Sequence, residues 1–130
     1  MVKIKLIIIA VLFLSIINPG EVGAMRFPPK DVEPVIYNGV RYTAPHWPYQ
    51  HGGKQNGGYI EAWDADGGQK LWNLKVYTVE YDTSMETDVQ DIFITSLNIE
   101  NGKLIIVNER EDIYEVDIIT KKVTKTGGRK

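Results

Sequence analysis

The stretch "LNIENGKLII", Leu97 to Ile106, decides how the rest of the chain is read. Asn101-Gly102 sits at its centre, and a two-residue type I′ turn needs φ > 0 at both central positions, which Asn-Gly tolerates best. With that turn fixed, Glu100 faces Lys103, Ile99 faces Leu104 and Leu97 faces Ile106. One side of the hairpin is then apolar and the other polar, as in a strand pair lying on a core.

The same signal recurs upstream. In "PVIYNGVRYT", Pro34 to Thr43, a turn at Asn38-Gly39 sets Tyr37 against Val40 and Val35 against Tyr42 on one face. Ile36 and Arg41 share the other face. Between the hairpins, strands are expected near Tyr59 to Trp63 and Leu71 to Tyr81. In the latter the apolar phase runs through Trp72, Leu74 and Val76, then shifts to Val79 and Tyr81, which predicts a bulge or bend. Ile113 to Ile118 predicts a further strand, with Tyr114, Val116 and Ile118 inward. Thr120 to Thr126 reads as an edge strand guarded by lysines. "TSMETD", Thr83 to Asp88, reads as an acidic loop. "ERED", Glu109 to Asp112, joins two strong strands without Gly or Asn, so it is either a wider loop or a strained one. Turn signals every 10 to 15 residues and no sustained helical period predict an all-β chain. The expected fold is a small antiparallel meander of six to eight strands, a barrel or a sandwich, built from blade-like hairpins.

The N-terminus reads differently. Lys3 and Lys5 precede an apolar run from Leu6 to Leu14, Pro19-Gly20 follows, and Val22-Gly23-Ala24 offers a small-residue cleavage site. This is the pattern of a signal peptide over residues 1–24. Its apolar run of about 12 residues falls short of the ~20 that span a bilayer. Export to a periplasmic or extracellular compartment is expected, with no membrane span after cleavage. Residues 25–33, with Pro28 and Pro29, read as an extended arm. Residues 34–126 form a single β domain, and 127–130 a basic tail.

Composition narrows the chemistry. Removing Lys3, Lys5 and Glu21 from 15 basic and 17 acidic residues leaves 13 and 16. So even a balance argues against nucleic acid, which needs a concentrated basic surface. There is no Cys, so thiol nucleophiles, thiolate zinc and iron–sulfur centres are excluded.

"AWDADGGQKLW", Ala62 to Trp72, is the most pattern-like segment. It resembles the repeat of quinoprotein-type (PQQ-like) β-propellers, Ala-x-Asp-x-x-Thr-Gly-x-x-x-Trp, with Ala62, Asp64, Gly68 and Trp72 at matching positions and Gly67 in place of Thr. A fainter copy, "YEVDIITKKV", places Asp117 and Thr120 in register, with Lys121 where Gly belongs. In that family the motif is architectural. Asp64 and Gly68 are thus expected to set a turn and Trp72 to anchor the core. A propeller needs at least four blades, so the resemblance implies blade-like hairpins in one small domain and no quinone cofactor. Read as a calcium loop, the segment fails. Its fifth, sixth and twelfth positions from Asp64 are Gly68, Gln69 and Lys75.

The candidate site is the loop "APHWPYQHGGKQNGG", residues 44–58, which holds both histidines. A long, compositionally biased loop on a rigid sheet is where binding residues concentrate. Trp47 and Tyr49 would floor a groove for a sugar ring or peptide side chain, with His46 and His51 beside them. The alternative is a copper or zinc site through His46 and His51. A third reading, a hydrolase using carboxylates such as Asp82, Glu86, Asp88, Asp91, Glu109, Glu111 and Asp112, requires two of them in one cleft. No nucleophile or phosphate-loop motif is present. The chain therefore reads as a non-enzymatic module for an unknown ligand or protein partner. An open sheet edge would let two copies pair as a homodimer.

Overall fold

Both Asn-Gly pairs close their hairpins with left-handed residues, Asn38 and Gly39 at φ 51° and 77°, Asn101 and Gly102 at 52° and 75°. The expected registers hold, from Tyr37↔Val40 and Val35↔Tyr42 to Ile99↔Leu104 and Leu97↔Ile106. In this computed structural model, residues 27–47 and 54–128 are described. The signal segment, Tyr49 and His51 lie outside the described residues.

Each hairpin extends into a four-stranded antiparallel meander. Sheet 1 comprises β1 (Val35–Tyr37), β2 (Val40–Thr43), β3 (Tyr59–Asp64) and β4 (Lys70–Lys75). Sheet 2 comprises β5 (Ile94–Glu100), β6 (Lys103–Asn108), β7 (Ile113–Asp117) and β8 (Val123–Gly127). There is no helix among the described residues, and of the two expected architectures the two sheets form a sandwich. Gly127, read from sequence as the start of the tail, closes β8. Residues 27–34 carry no regular structure, and Val32 packs on the core.

The core lies between the sheets. Tyr42, Ile60 and Ala62 of sheet 1 meet Leu97, Leu104, Ile106 and Val116 of sheet 2, with Trp72, Leu74 and Tyr114 packed around them. Burying one such aliphatic side chain contributes about 1.5–3 kcal/mol, and with no disulfide this packing carries the stability. Lys103, expected opposite Glu100, makes its ion pair across the other neighbour, with Glu115 at 3.3 Å.

One sequence expectation is corrected. The strand predicted over Leu71–Tyr81 ends at Lys75. The register shift lies earlier, between Ala62 and Trp63, opposite Lys70 and Trp72. Val76 makes one more bond, its N–H donating to Gly58 O at 2.7 Å, and then the chain leaves the sheet.

The hairpins β3–β4 and β7–β8 close with the same turn. Asp64 Oδ1 accepts from the amides of Asp66 and Gly67 (2.9 and 3.2 Å), and Asp117 Oδ1 from those of Ile119 and Thr120 (2.9 and 3.0 Å). Gly68 N donates to Asp64 O, and Lys121 N to Asp117 O. Both turns put a left-handed residue fifth, Gly68 at φ 72° and Lys121 at 63°. The amide of Thr120, chiefly, holds the Asp117 carboxyl below the usual carboxylate range.

Following the strand pairing away from these matched turns aligns the sheets. Val40, Tyr42, Ala62 and Trp72 of sheet 1 correspond to Lys103, Ile105, Glu115 and Thr124 of sheet 2. The first set packs on the core, whereas the second lies on the outer face. The sheets therefore stack the same way round, like successive repeats, and not as two-fold mates. Trp72 has a partner sheet to rest on; Thr124 faces outward.

Lys121 explains itself through that contact. A left-handed non-glycine residue costs about 1–2 kcal/mol, but its ammonium sits 4.8 Å from the Trp72 ring centre, worth about 0.5–1 kcal/mol at an exposed site. Lys121→Gly relieves the strain and loses the cation, so its urea-unfolding free energy should stay within about 0.5 kcal/mol of the parent. Lys121→Ala keeps the strain and loses the cation, and should cost about 1 kcal/mol.

Candidate functional site

The two sheets differ most in one connection. Between β6 and β7 the chain needs only residues 109–112, whereas between β2 and β3 it uses 44–58, fifteen residues against four. The short connection is both wider than a two-residue turn and strained: Glu111 has φ 65°. Asn108 makes it work. Its Oδ1 accepts from the amides of Arg110 and Asp112 at 2.9 and 3.1 Å.

The long connection is anchored at two points. The first is His46, only 5 % exposed. Its Nε2 donates to the carbonyls of Pro29 and Lys30 at 3.0 and 3.2 Å, so the N-terminal arm is tied to the loop. The ring lies 4.9 Å from that of Phe93. With the proton on Nε2, Nδ1 is the acceptor nitrogen, and it is buried without a partner among the described residues. A metal bound here would have to be taken at Nδ1.

The second anchor is Gln55, 4 % exposed. Its Nε2 donates to Tyr77 O at 2.9 Å and to Gly57 O at 3.2 Å, while its Oε1 accepts from Val79 N at 2.8 Å. One side-chain amide thus offers the 77–79 backbone what a neighbouring strand would offer. This is why Val76 and Val79 are both buried although no strand continues past Lys75. The loop base is closed by Gly57 N donating to His46 O at 3.1 Å. Gly57 is required there: φ is 76°, and a Cβ would run into the carbonyl oxygen of Ile92.

His46 and Trp47 at one end of the loop, and Asn56 and Gly57 at the other, meet residues 91–93. His46 and Trp47 pack on Phe93, Trp47 edge-on at 5.4 Å. Trp47 remains 41 % exposed, an indole held in place yet open to solvent. Asn56 Nδ2 donates to Asp91 Oδ2 at 3.4 Å, and Tyr81 OH to Asp91 Oδ1 at 2.6 Å. Beside them opens a cleft of about 310 Å³ lined by Lys54, Asn56, Tyr81, Thr87 and Asp91. Thr87 comes from the acidic loop, which Gln90 holds: its Nε2 donates to the carbonyls of Asp82, Met85 and Glu86. Asp91 is 5 % exposed, so its carboxyl group lies among hydrogen bonds and not in water.

Of the expected site residues, the structure brings His46 and Trp47 together on Phe93. Tyr49 and His51 lie outside the described residues. His46 is an anchor and not an exposed ligand group. Sequence reading missed the cleft. Gln55 and Asn56 stood inside the selected loop, but nothing local marks a Gln that will pair with backbone 22 and 24 residues ahead. Asp91 was one carboxylate among seven, and Tyr81 was assigned to a strand. Among the described residues no three His, Asp or Glu side chains gather into a metal-binding group, and no helix is long and apolar enough to cross a membrane. No family model matches the chain, and no curated protein matches it either.

Tyrosine ionisation gives this region a pH signature. Burial, then the hydrogen bond to Asp91, pushes Tyr81 up to about 12. Burial also raises Tyr77, whose OH donates to Ile92 O at 2.6 Å. The unfolded chain releases these protons first, near the ordinary value of 10.0. Stability is therefore fully present below pH 10 and falls as the pH rises toward 12. Denaturant midpoints should drop across that window. Tyr81→Phe should flatten the drop while lowering stability at neutral pH, because Asp91 loses a donor.

Proposed function

We propose that this protein is an exported, non-enzymatic β-domain that binds a ligand or protein partner at the end of the sandwich carrying the 44–58 loop. The observation that carries this reading is the extra length of that loop together with what the length builds. Sheet 2 shows that four residues suffice for the connection. Sheet 1 uses fifteen, and two buried polar side chains among the described ones hold Trp47 on Phe93 and form a cleft with Lys54 and Asn56 on its wall. An exposed aromatic ring held by packing supplies contact area at little entropic cost. Lys54, Thr87 and Tyr81 add hydrogen-bonding groups of both kinds. The ligand class that fits is one with an apolar face next to hydroxyl or amide groups, a sugar or a peptide segment. We also read the two sheets as blade-like units of the quinoprotein type, supported by the shared Asp64 and Asp117 turns.

The test uses two exposed changes, Trp47→Ala and Thr87→Arg, the second filling the cleft. Isotope-edited NMR spectra recorded with panels of oligosaccharides and short peptides should show shifts clustered on Lys54, Asn56, Tyr81 and Thr87. Each change should then weaken binding about tenfold, equivalent to ~1.4 kcal/mol, with the thermal midpoint nearly unmoved. Binding unaffected by both changes would exclude this surface.

Export makes a separate prediction. Protein recovered from the producing cell should have an intact mass lacking residues 1–24 and should fractionate outside the cytoplasm. A full-length mass in the cytoplasm would refute the signal-peptide reading.

A further inference from the structure

Because the two sheets stack the same way round, their outer faces are unlike each other and related in a definite way. The outer face of sheet 1 carries Ile36, Arg41, Trp63 and Lys70. Their counterparts in sheet 2, by distance from the matched turns, are Ile99, Leu104, Val116 and Val123, which pack into the core. The outer face of sheet 2 carries the counterparts of the residues on the other side of that same buried contact. Each open face is thus built on the frame of one half of the existing interface. The halves left open are opposite ones.

The side chains on them suit each other. On sheet 1, Ile36 is 67 % exposed. Across Arg41 from it stands Trp63, with the Lys70 ammonium 5.7 Å from its ring. On sheet 2, Ile105, Val107 and Ile113 form a half-buried aliphatic seam across β6 and β7. Charge is complementary as well. The sheet 1 face holds Arg41, Lys70 and Lys75 against Glu61, an excess of two positive charges. The sheet 2 face holds Glu100, Glu115 and Asp117 against Lys103 and Lys122, an excess of one negative charge.

We propose that a second copy of this chain docks the outer face of its sheet 1 on the outer face of sheet 2, repeating between copies the contact that joins the sheets within one. Such an interface is heterologous: each copy gives one face and receives on the other. Successive additions close into a ring if the rotation permits and otherwise run on as a filament. Charged residues replace several core positions on both faces, so the contact is weaker than the internal one and weakens with salt.

Two substitutions test this, one per face. Ile36→Glu puts a negative charge on the face meant to meet a negative one, and Ile105→Lys does the converse. Sedimentation velocity of the purified protein, from low to high micromolar concentration, should show self-association that salt weakens. Either variant alone should sediment as a monomer. An equimolar mixture of the two should associate again, since one intact pair of faces remains. Thermal midpoints close to the parent's establish that each variant is folded. The proposal is overturned by a monomeric parent at high concentration. It is equally overturned by association that survives both changes, or by a mixture that stays monomeric while the parent associates, since that pattern belongs to a two-fold interface on a single face.

Discussion

Neither sheet can exist without the other. Four strands of three to seven residues bury little when alone, and isolated small hairpins are marginal in water. Each sheet has one apolar face, and only the facing sheet covers it. Tyr42, Ile60 and Ala62 on one side and Leu104, Ile106 and Val116 on the other are almost fully buried, and they come from chain segments that share no strand ladder. Everything else, the turns, the long loop and the cleft, is attached to that contact. Its geometry also determines which residues are left outside, since stacking in one sense exposes different frames at the two ends.

The local half of this fold was legible in the sequence, because the signals that set it are local. An Asn-Gly pair fixes a turn, the turn fixes a register, and the register fixes two faces. Asp64 and Asp117 likewise bond to amides two and three residues on. What could not be read was anything carried by a side chain reaching across the fold. The alternation through Val76, Val79 and Tyr81 looked like a strand with a shifted phase. In fact these residues are placed by the Gln55 amide and by Asp91. The burial pattern was real, but its cause lay in another loop. Asp91 and Asp112 are both nearly buried and do different work, the first beside the cleft and the second at the Asn108 turn with an ion pair to Lys125 at 3.4 Å. Residue type alone does not separate them.

The candidate site also inverts an intuition about histidine. His46 stood out because histidines are rare here and often ligate or catalyse. In the fold its Nε2–H clamps two carbonyls of the N-terminal arm, and its ring packs on Phe93. The exposed group nearby is Trp47. The residues lining the cleft are ordinary ones, Lys, Asn, Thr and Tyr, gathered by Gln55, Gly57 and Gln90. A site of this kind is specified by its supports more than by its surface.

Those supports have a kinetic side. Both meanders are built from neighbouring hairpins, and contacts of short sequence separation form fast. The loop is different. His46 reaches back 17 residues, Gln55 reaches ahead 22 and 24, and Asn56 reaches ahead 35 to Asp91. These bonds span more sequence than the hairpin ladders do, so they close after the hairpins have formed. They are also few and lie at the rim, so the same region opens with the least free energy, while both sheets stay intact. Amide exchange near Gln55 and Asn56 and in residues 77–93 is thereby expected to run ahead of global unfolding. A partner that orders this region slows its exchange and leaves the rates of the two sheets unchanged.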